Sequence, residues 1–109
     1  MPRIEQVNSL LRQELALSLN RLLELPGALV TVTDVNCTPD LREAQISVSV
    51  LPEHFAGSAL QKLRRLSGEL ARDMRKRLKF HHMPIFVWSF DERPSRASAI
   101  EEIIKETHD

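Results

Sequence analysis

The residues best suited to chemistry in this chain are the cationic ones between positions 60 and 80. This stretch holds eight of the fifteen lysine and arginine residues, although the whole chain has no net charge. Both side chains neutralise phosphates, and an arginine can donate two hydrogen bonds to one phosphate group. A positive field concentrated in one segment of a neutral chain attracts polyanions. The segment therefore predicts a phosphate-binding surface.

The same stretch has the period of an amphipathic helix. With about 100° of rotation per residue, six apolar side chains share one face. They are Leu60, Leu63, Leu66, Leu70, Met74 and Leu78. Seven cationic side chains lie on the opposing arc, and we name them the basic face: Lys62, Arg64, Arg65, Arg72, Arg75, Lys76 and Lys79. Arg77 turns towards the apolar edge, and Glu69 and Asp73 are the acidic residues of the segment.

Ser67 and Gly68 interrupt this helical pattern at its centre. Glycine destabilises a helix interior by about 1 kcal/mol relative to alanine, and Gly/Ser pairs are a known cause of kinks. We therefore predict two helices that meet at Ser67-Gly68, which lets both apolar faces reach one sheet. A continuous helix that tolerates the glycine, or a loop at this point, is the alternative. Ser67 and Gly68 join the basic face as candidate binding residues.

Other residues could suggest metal binding or catalysis, but the sequence favours these functions less. Adjacent His81 and His82, with His54, could suggest a metal, but neighbouring histidines point in divergent directions and nothing completes a tetrahedral set. Cys37 has no implied histidine partner that would make it a nucleophile. No Gly-rich phosphate loop is present, so nucleotide hydrolysis is not expected. We predict no catalytic site, no bound metal and no cofactor.

A second alternative concerns Phe86, Trp88 and Phe90, which alternate along one stretch of the chain. Such a set could form a platform on which nucleic-acid bases stack. Alternating aromatic residues on a strand more often belong to the core, and we favour that interpretation.

Length and composition indicate one domain, which we predict to span 1–109 with an ordered core from about 4 to 104. A chain of 109 residues with a hydrophobic fraction of 42% can bury its own core. No apolar run is long enough to cross a membrane, and the N-terminal pattern is not that of a signal peptide. Since Cys37 is the sole cysteine, a disulfide framework is not expected. We expect a cytoplasmic protein.

The hydrophobic periodicity predicts the elements that position these residues. A short turn at 38–40 makes the first two strands an antiparallel pair. Asp40 could form a carboxylate pair with Asp34, but it is better interpreted as a cap of this turn. The predicted class is α+β, with a three-stranded sheet and helices packed on one face. In chain order, the elements are a helix over 4–25, strands over 29–36 and 41–51, two helices over 58–79, a strand over 84–90 and a short helix from Ser98.

This αββααβ order is that of the type II KH fold, and particular residues resemble the ribosome-binding factor A family. The most specific part is the strand pair around Asp40-Leu41. Leu66-Ser67-Gly68 lies where the family has an Ala-x-Gly helix kink, and the resemblance covers about 4–104. The matching residues are 30–35, Pro39, Asp40, Leu41, Ala44, 47–51, Pro84, Phe86 and Asp91.

The resemblance implies a non-enzymatic factor for assembly of the small ribosomal subunit. Family members bind immature subunits, contact the small-subunit ribosomal RNA, assist late maturation and are tied to growth in the cold. They lack the Gly-x-x-Gly loop of ordinary KH domains, as this sequence does. The basic face with Ser67 and Gly68 is then the expected RNA-binding site of a protein that is a monomer when free. A protein-interaction module without direct RNA binding remains the alternative.

Overall fold

The computed structural model describes residues 3–80 and 82–91, which form an α+β domain. The predicted class and the resemblance to a KH-like fold are confirmed. The short helix that we predicted from Ser98 lies outside the described residues. In chain order, the elements are α1 (Ile4–Leu22), β1 (Leu29–Cys37), β2 (Glu43–Leu51), one 3₁₀ turn (Glu53–Phe55), α2 (Ala56–Arg75) and β3 (Ile85–Phe90).

The three strands form one mixed sheet in the order β1-β2-β3. β1 and β2 are antiparallel, with Val32 opposite Val48, and a bulge follows Val32. β2 and β3 are parallel, with Ile46 opposite Trp88, because α2 carries the chain back across the sheet between them. Every second side chain of β2 is buried, and the buried residues of β1 and β3 lie opposite buried residues of β2. Both helices therefore cover one face of the sheet and leave the other open.

Helix α1 ends at Leu22, three residues before the predicted end. Leu23 already has extended backbone angles, and its N–H makes the last helical bond to Leu19. Pro26 disfavours helical geometry at the residue before it, so the chain leaves the helix early. Gly27 then turns the chain with a φ of 84°, a conformation that favours glycine.

The turn between β1 and β2 is longer than predicted, and β2 begins at Glu43 instead of position 41. The Asp40 carboxylate accepts bonds from the Thr38 hydroxyl (2.6 Å) and the Arg42 N–H (3.2 Å), which confirms its role as a turn cap. Leu41 takes a positive φ of 60°, which is incompatible with a strand. The hydrogen bonds of Asp40 and the backbone angle of Leu41 together delay the start of β2 by two residues.

The predicted division of the second helical segment at Ser67-Gly68 is wrong, because α2 runs without interruption from Ala56 to Arg75. The Ser67 hydroxyl donates a 2.9 Å bond to the Leu63 carbonyl one turn earlier, inside the helix. Gly68 keeps a helical backbone. Burial of Leu63 and Leu70 on either side offsets the small intrinsic penalty of one glycine. The helix also ends four residues before the predicted position 79.

The core lies between the helices and the covered face of the sheet. Trp88 is 5% exposed, and its ring meets Phe86 edge-on with centroids 5.9 Å apart, while Phe86 and Phe90 are half-buried against the core. The interpretation of this aromatic set as core is confirmed, and no open stacking platform is formed by it. No helix within residues 3–80 and 82–91 is long and apolar enough to cross a membrane.

Candidate nucleic-acid interface

Helix α2 presents its cationic side chains outwards because its apolar stripe is buried. Leu63, Leu70 and Met74 have no exposed surface, so the arc on the opposite side must face solvent. Five residues of the basic face lie exposed on this arc: Arg64, Arg65, Arg72, Arg75 and Lys76. Among the described residues, none of the five has an ion pair or a side-chain hydrogen bond. Their charges are therefore available to an external anion.

Gly68 lies at the centre of this arc. Arg64, Arg65 and Arg72 are four or three residues away from it along the helix, which makes them its neighbours on the helix surface. Apart from its two chain neighbours and the local backbone of α2, no atom lies within 4 Å of a Cβ atom added at Gly68. Neither core packing nor a positive φ explains the glycine. It leaves a patch of bare backbone between arginine side chains, where a ligand can approach closely.

Ser67, which we predicted as a binding residue, points away from this arc. Its hydroxyl accepts a 2.7 Å bond from the indole N–H of Trp88 in β3 while it donates to the Leu63 carbonyl. Ser67 thus lies at the contact between α2 and β3, where its hydroxyl is already engaged. These two hydrogen bonds link α2, and with it the arginine arc, to β3.

The two remaining lysines of the basic face lie at its margins. Lys62 is half-buried on the α1 side of α2, and its Nζ donates a hydrogen bond to the Glu24 carbonyl. Lys79 is exposed beyond the end of the helix, next to Phe80. The structure therefore brings five residues of the basic face together on one arc, adds Lys79 near its end and ties Lys62 to the loop after α1.

Asp73 does not oppose the basic face, although the helical wheel places it near the arc. The residue is only 7% exposed and accepts a 2.7 Å bond from the Ser18 hydroxyl of α1. Its carboxylate also accepts bonds from Arg77 (3.1 Å) and from Arg21. The Ser18 hydrogen bond, followed by those of Arg77 and Arg21, lowers the pKa of Asp73 to about 2. Its negative charge therefore pairs with two arginines between α1 and α2.

Arg77 belongs to the same interhelical network and not to the basic face. Its guanidinium donates to the Glu14 carboxylate, to the Glu14 carbonyl (3.2 Å) and to the Ser18 hydroxyl (2.7 Å). Hydrogen bonds to Glu14 and then Asp73 raise the pKa of Arg77. The network joins α1 to α2 and leaves Arg77 unavailable for phosphate.

Sequence reasoning missed this network, but two signals for it were present. Ser18 is a polar residue in the apolar stripe of α1, and Arg77 is a charged residue at the apolar edge of α2. A polar group that faces a core requires a hydrogen-bond partner. Ser18 and Arg77 provide this partner for each other, because the Arg77 guanidinium donates to the Ser18 hydroxyl. Only their pairing across the helices could not be read from the periodicity.

The other candidate groups form no reactive constellation in the described part of the chain. Cys37 is buried, which raises the pKa of its thiol and disfavours the thiolate that a nucleophile requires. Asp34 accepts bonds from the Val35 N–H and the Asn36 amide, both at 3.0 Å. Within residues 3–80 and 82–91, no three potential metal ligands are grouped together.

The fold and this surface define the class of the protein: a KH-like α+β domain whose sequence has no Gly-x-x-Gly motif and whose helix α2 exposes an arc of cationic side chains. The sequence profile of the family described as ribosome-binding factor A matches residues 3–104. The chain therefore belongs to the ribosome-binding factor A family.

Sequence similarity to a named relative agrees with this assignment, and structural similarity agrees with the fold. Ribosome-binding factor A of Brevibacillus brevis is 38% identical over 106 residues, which cover 95% of this chain and 88% of that protein. The crystal structure of ribosome-binding factor A from Thermus thermophilus is 22% identical and superposes with a TM-score of 0.72, covering 81% of this chain and 96% of that one. A homology model of the Thermus thermophilus factor, as fitted into the cryo-EM map of its 30S complex, gives a TM-score of 0.66 at 23% identity, over 77% of this chain and 90% of that one.

Proposed function

We propose that this protein is an assembly factor of the small ribosomal subunit, which binds immature subunits and their ribosomal RNA without catalysis. The observation that carries the proposal is the arc of exposed cations on α2 and its C-terminal end, which have no ion pair within the described residues and suit RNA phosphates. The family assignment supports the subunit as the partner, since a relative's coordinates were fitted into a map of its 30S complex. We propose that the free protein is a monomer.

The interface would act by neutralising phosphates and releasing their counterions. Arginine suits this task because its planar guanidinium can bind two phosphate oxygens at once. The bare backbone at Gly68 lets a sugar-phosphate chain approach α2 between Arg64, Arg65 and Arg72. Such contacts recognise the shape and charge of RNA more than its sequence, which fits a protein that binds one RNA arrangement during maturation.

Binding alone can promote maturation when the factor prefers one RNA conformation. A ligand that binds one of two conformations more tightly shifts the population by that difference in affinity. The protein would thus stabilise an RNA arrangement of the immature subunit and leave when the mature arrangement no longer fits. No bond has to be made or broken by the protein.

Co-sedimentation with purified immature and mature small subunits tests the proposal. A variant with Arg72→Glu, Arg75→Glu and Lys76→Glu should lose binding to immature subunits at low salt, while its circular dichroism stays that of the native fold. The matched control changes Arg3, Arg12 and Arg42 to Glu, which alters the net charge equally at exposed positions outside the basic face. Retained binding by the folded α2 variant, or equal loss in the control, would overturn the assignment of the site.

A protein-interaction module is the second candidate, and the open face of the sheet favours it. Ile85 in the edge strand β3 is 68% exposed, and its neighbour on the same face, Val87, is also exposed. An exposed edge strand can add a strand from a partner. The two candidates differ in their salt dependence, because an apolar protein contact weakens far less with salt than an RNA contact. Binding to immature subunits that is unchanged between low and high salt would favour the second candidate.

A further inference from the structure

An apolar groove opens at the end of the sheet where β3 begins. Its volume is about 670 Å³, within the range of pockets that bind ligands. Leu41, Phe80, Met83 and Ile85 line it. The other described residues leave Leu41 39% and Ile85 68% exposed. Contact of this apolar surface with water is unfavourable, so a ligand with apolar faces would be stabilised in the groove.

The groove adjoins the basic face of α2. Lys79, the last residue of that face, lines the groove next to Phe80. Lys79 follows Lys76 by three positions, and the chain between them continues the turn of the helix, since the Leu78 N–H donates to the Met74 carbonyl (2.9 Å). An RNA backbone that is bound along α2 would therefore pass the mouth of the groove at Lys79.

The rim of the groove combines one available cation with polar groups. Arg42 lies 3.7 Å from the Asp40 carboxylate, so these two charges compensate one another. Lys79 has no ion pair within the described residues, which leaves its ammonium group available to a phosphate. The imidazole of His82 adds a polar group to the lining. The best ligand therefore has apolar faces, a polar edge and an attached anionic group.

We propose that this groove binds an unpaired base of the RNA, while Lys79 binds the phosphate of the same nucleotide. A nucleotide has all three properties, because its base has two apolar faces and a polar edge, and its phosphate is joined to the base through the sugar. Phe80 supplies an aromatic ring to the groove, and unpaired RNA bases stack on such rings. The inference rests on the proposed function, to which it adds a site for a base beside the sites for phosphates.

Two probes separate the contribution of bases from that of phosphates. One is a single-stranded oligouridylate of about ten nucleotides, a length that such interfaces span, and the other is an abasic chain of equal length. Both carry the same sugars and phosphates, but only the first carries bases. Fluorescence anisotropy with the full-length protein at low salt gives the two dissociation constants. The oligouridylate should bind at least about fivefold more tightly, the lower end of what one stacked base contributes.

The groove variant, Leu41→Ser with Ile85→Ser, removes apolar surface from the lining. Both side chains are exposed, so the core is kept, and circular dichroism checks the fold. This variant should bind the two probes equally, with the wild-type affinity for the abasic chain, because its basic face is unchanged. The matched control is Leu29→Ser with Leu51→Ser. These exposed leucines pair at the opposite end of the β1–β2 ladder, outside the groove, and the control should keep the wild-type preference for the oligouridylate.

The outcomes distinguish the groove from the basic face. Equal binding of both probes by the wild type would overturn this inference and leave the RNA interface on α2 standing, whereas binding of neither probe would overturn both. A preference for the oligouridylate that survives in the groove variant would place the base elsewhere. If that variant nevertheless binds immature subunits less tightly, the groove contacts a protein of the subunit. An equal loss of preference in the control would also overturn the inference.

Methyl NMR tests the location of the base directly. Nuclear Overhauser contacts are sought between the Met83 methyl group, in the groove, and the uracil ring protons of the bound oligouridylate. The Met74 methyl group is an internal control, because Met74 is fully buried and should show no such contact. Contacts at Met83 support the proposal. Their absence from a saturated complex would overturn it, as would contacts at Met83 from the protons of a second copy of the protein.

Discussion

The indole N–H of Trp88 in β3 donates a hydrogen bond of 2.7 Å to the hydroxyl of Ser67 in α2. The same hydroxyl donates to the Leu63 carbonyl, so one oxygen links the strand to the helix backbone. This link fixes α2 on the sheet at the residue that precedes Gly68. The exposed arginines therefore point away from the core in a defined direction.

Ser67→Ala should destabilise the fold by roughly 1–3 kcal/mol, because it leaves the buried indole N–H of Trp88 without a partner. Urea denaturation measures the free energy of unfolding. Ser9→Ala, at an exposed position of α1, controls for the higher helix propensity of alanine. The double variant Ser67→Ala with Trp88→Phe should lose less than the sum of the single variants. Strict additivity would show that the hydrogen bond contributes nothing to stability.

Gly68→Ala should raise stability by up to about 1 kcal/mol while it weakens binding to immature subunits. The added methyl group enters open space and favours the helix, but it occupies the patch where the RNA backbone would approach. Urea denaturation and co-sedimentation report the two effects separately. Gly57→Ala is the matched control, since its Cβ also meets nothing and it lies about 16 Å away along the helix. Full binding by Gly68→Ala would remove Gly68 from the interface.

The network at Asp73 predicts a loss of stability in acid. The pKa of Asp73 is about 2 in the folded protein and near 4 when unfolded, so the unfolded chain binds the proton more readily. The contribution is complete above about pH 4 and is lost as the pH falls towards 2. The free energy of unfolding, measured between pH 5 and 2, should fall less steeply in Asp73→Asn than in the wild type. Asp40, whose pKa is also lowered, is present in both proteins, so the difference isolates Asp73.

Substitution by glutamate should affect stability at Arg77 and binding at Arg72. Arg77→Glu places a third carboxylate beside Glu14 and Asp73, and should lower Tm clearly. Arg72→Glu changes an exposed, unpaired residue, and should leave Tm nearly unchanged while it weakens binding to immature subunits. Thermal unfolding and co-sedimentation of both variants give the comparison. If Arg72→Glu unfolds the protein or binds normally, its assignment to the interface is wrong.

Salt dependence should report the number of phosphates contacted. If about six cations of α2 and its C-terminal end bind phosphates, the slope of log K against log salt should be roughly −4 to −5. Removing Arg72, Arg75 and Lys76 should reduce the magnitude of the slope by about 2 to 3. The slope is measured by titrating the fluorescently labelled protein with immature subunits at several salt concentrations. A slope near zero would show that the contact is not electrostatic.

The amino-acid sequence by itself determined the elements with strong local patterns. Alternation identified β2 and β3, Pro26 with Gly27 showed that α1 ends before them, and the leucine period of α2 predicted its buried side. These features follow from neighbouring residues along the chain, so they can be read without knowing the fold. The exposed arc of arginines belongs to the same group, because a buried stripe leaves the opposite side to solvent.

Only the tertiary structure decided that α2 is continuous and which partners its buried polar side chains have. The Ser67–Trp88 bond joins residues 21 positions apart, and Ser18 reaches Asp73 across 55 positions. Local propensity at Ser67-Gly68 favoured a break, but burial of the helix on the sheet outweighs a penalty of about 1 kcal/mol. The helical wheel of α2 grouped Asp73 with the surface charges and placed Arg77 at the apolar edge, but it could not show their partners in α1. Their partners come from another helix, and that contact exists only after the chain has folded.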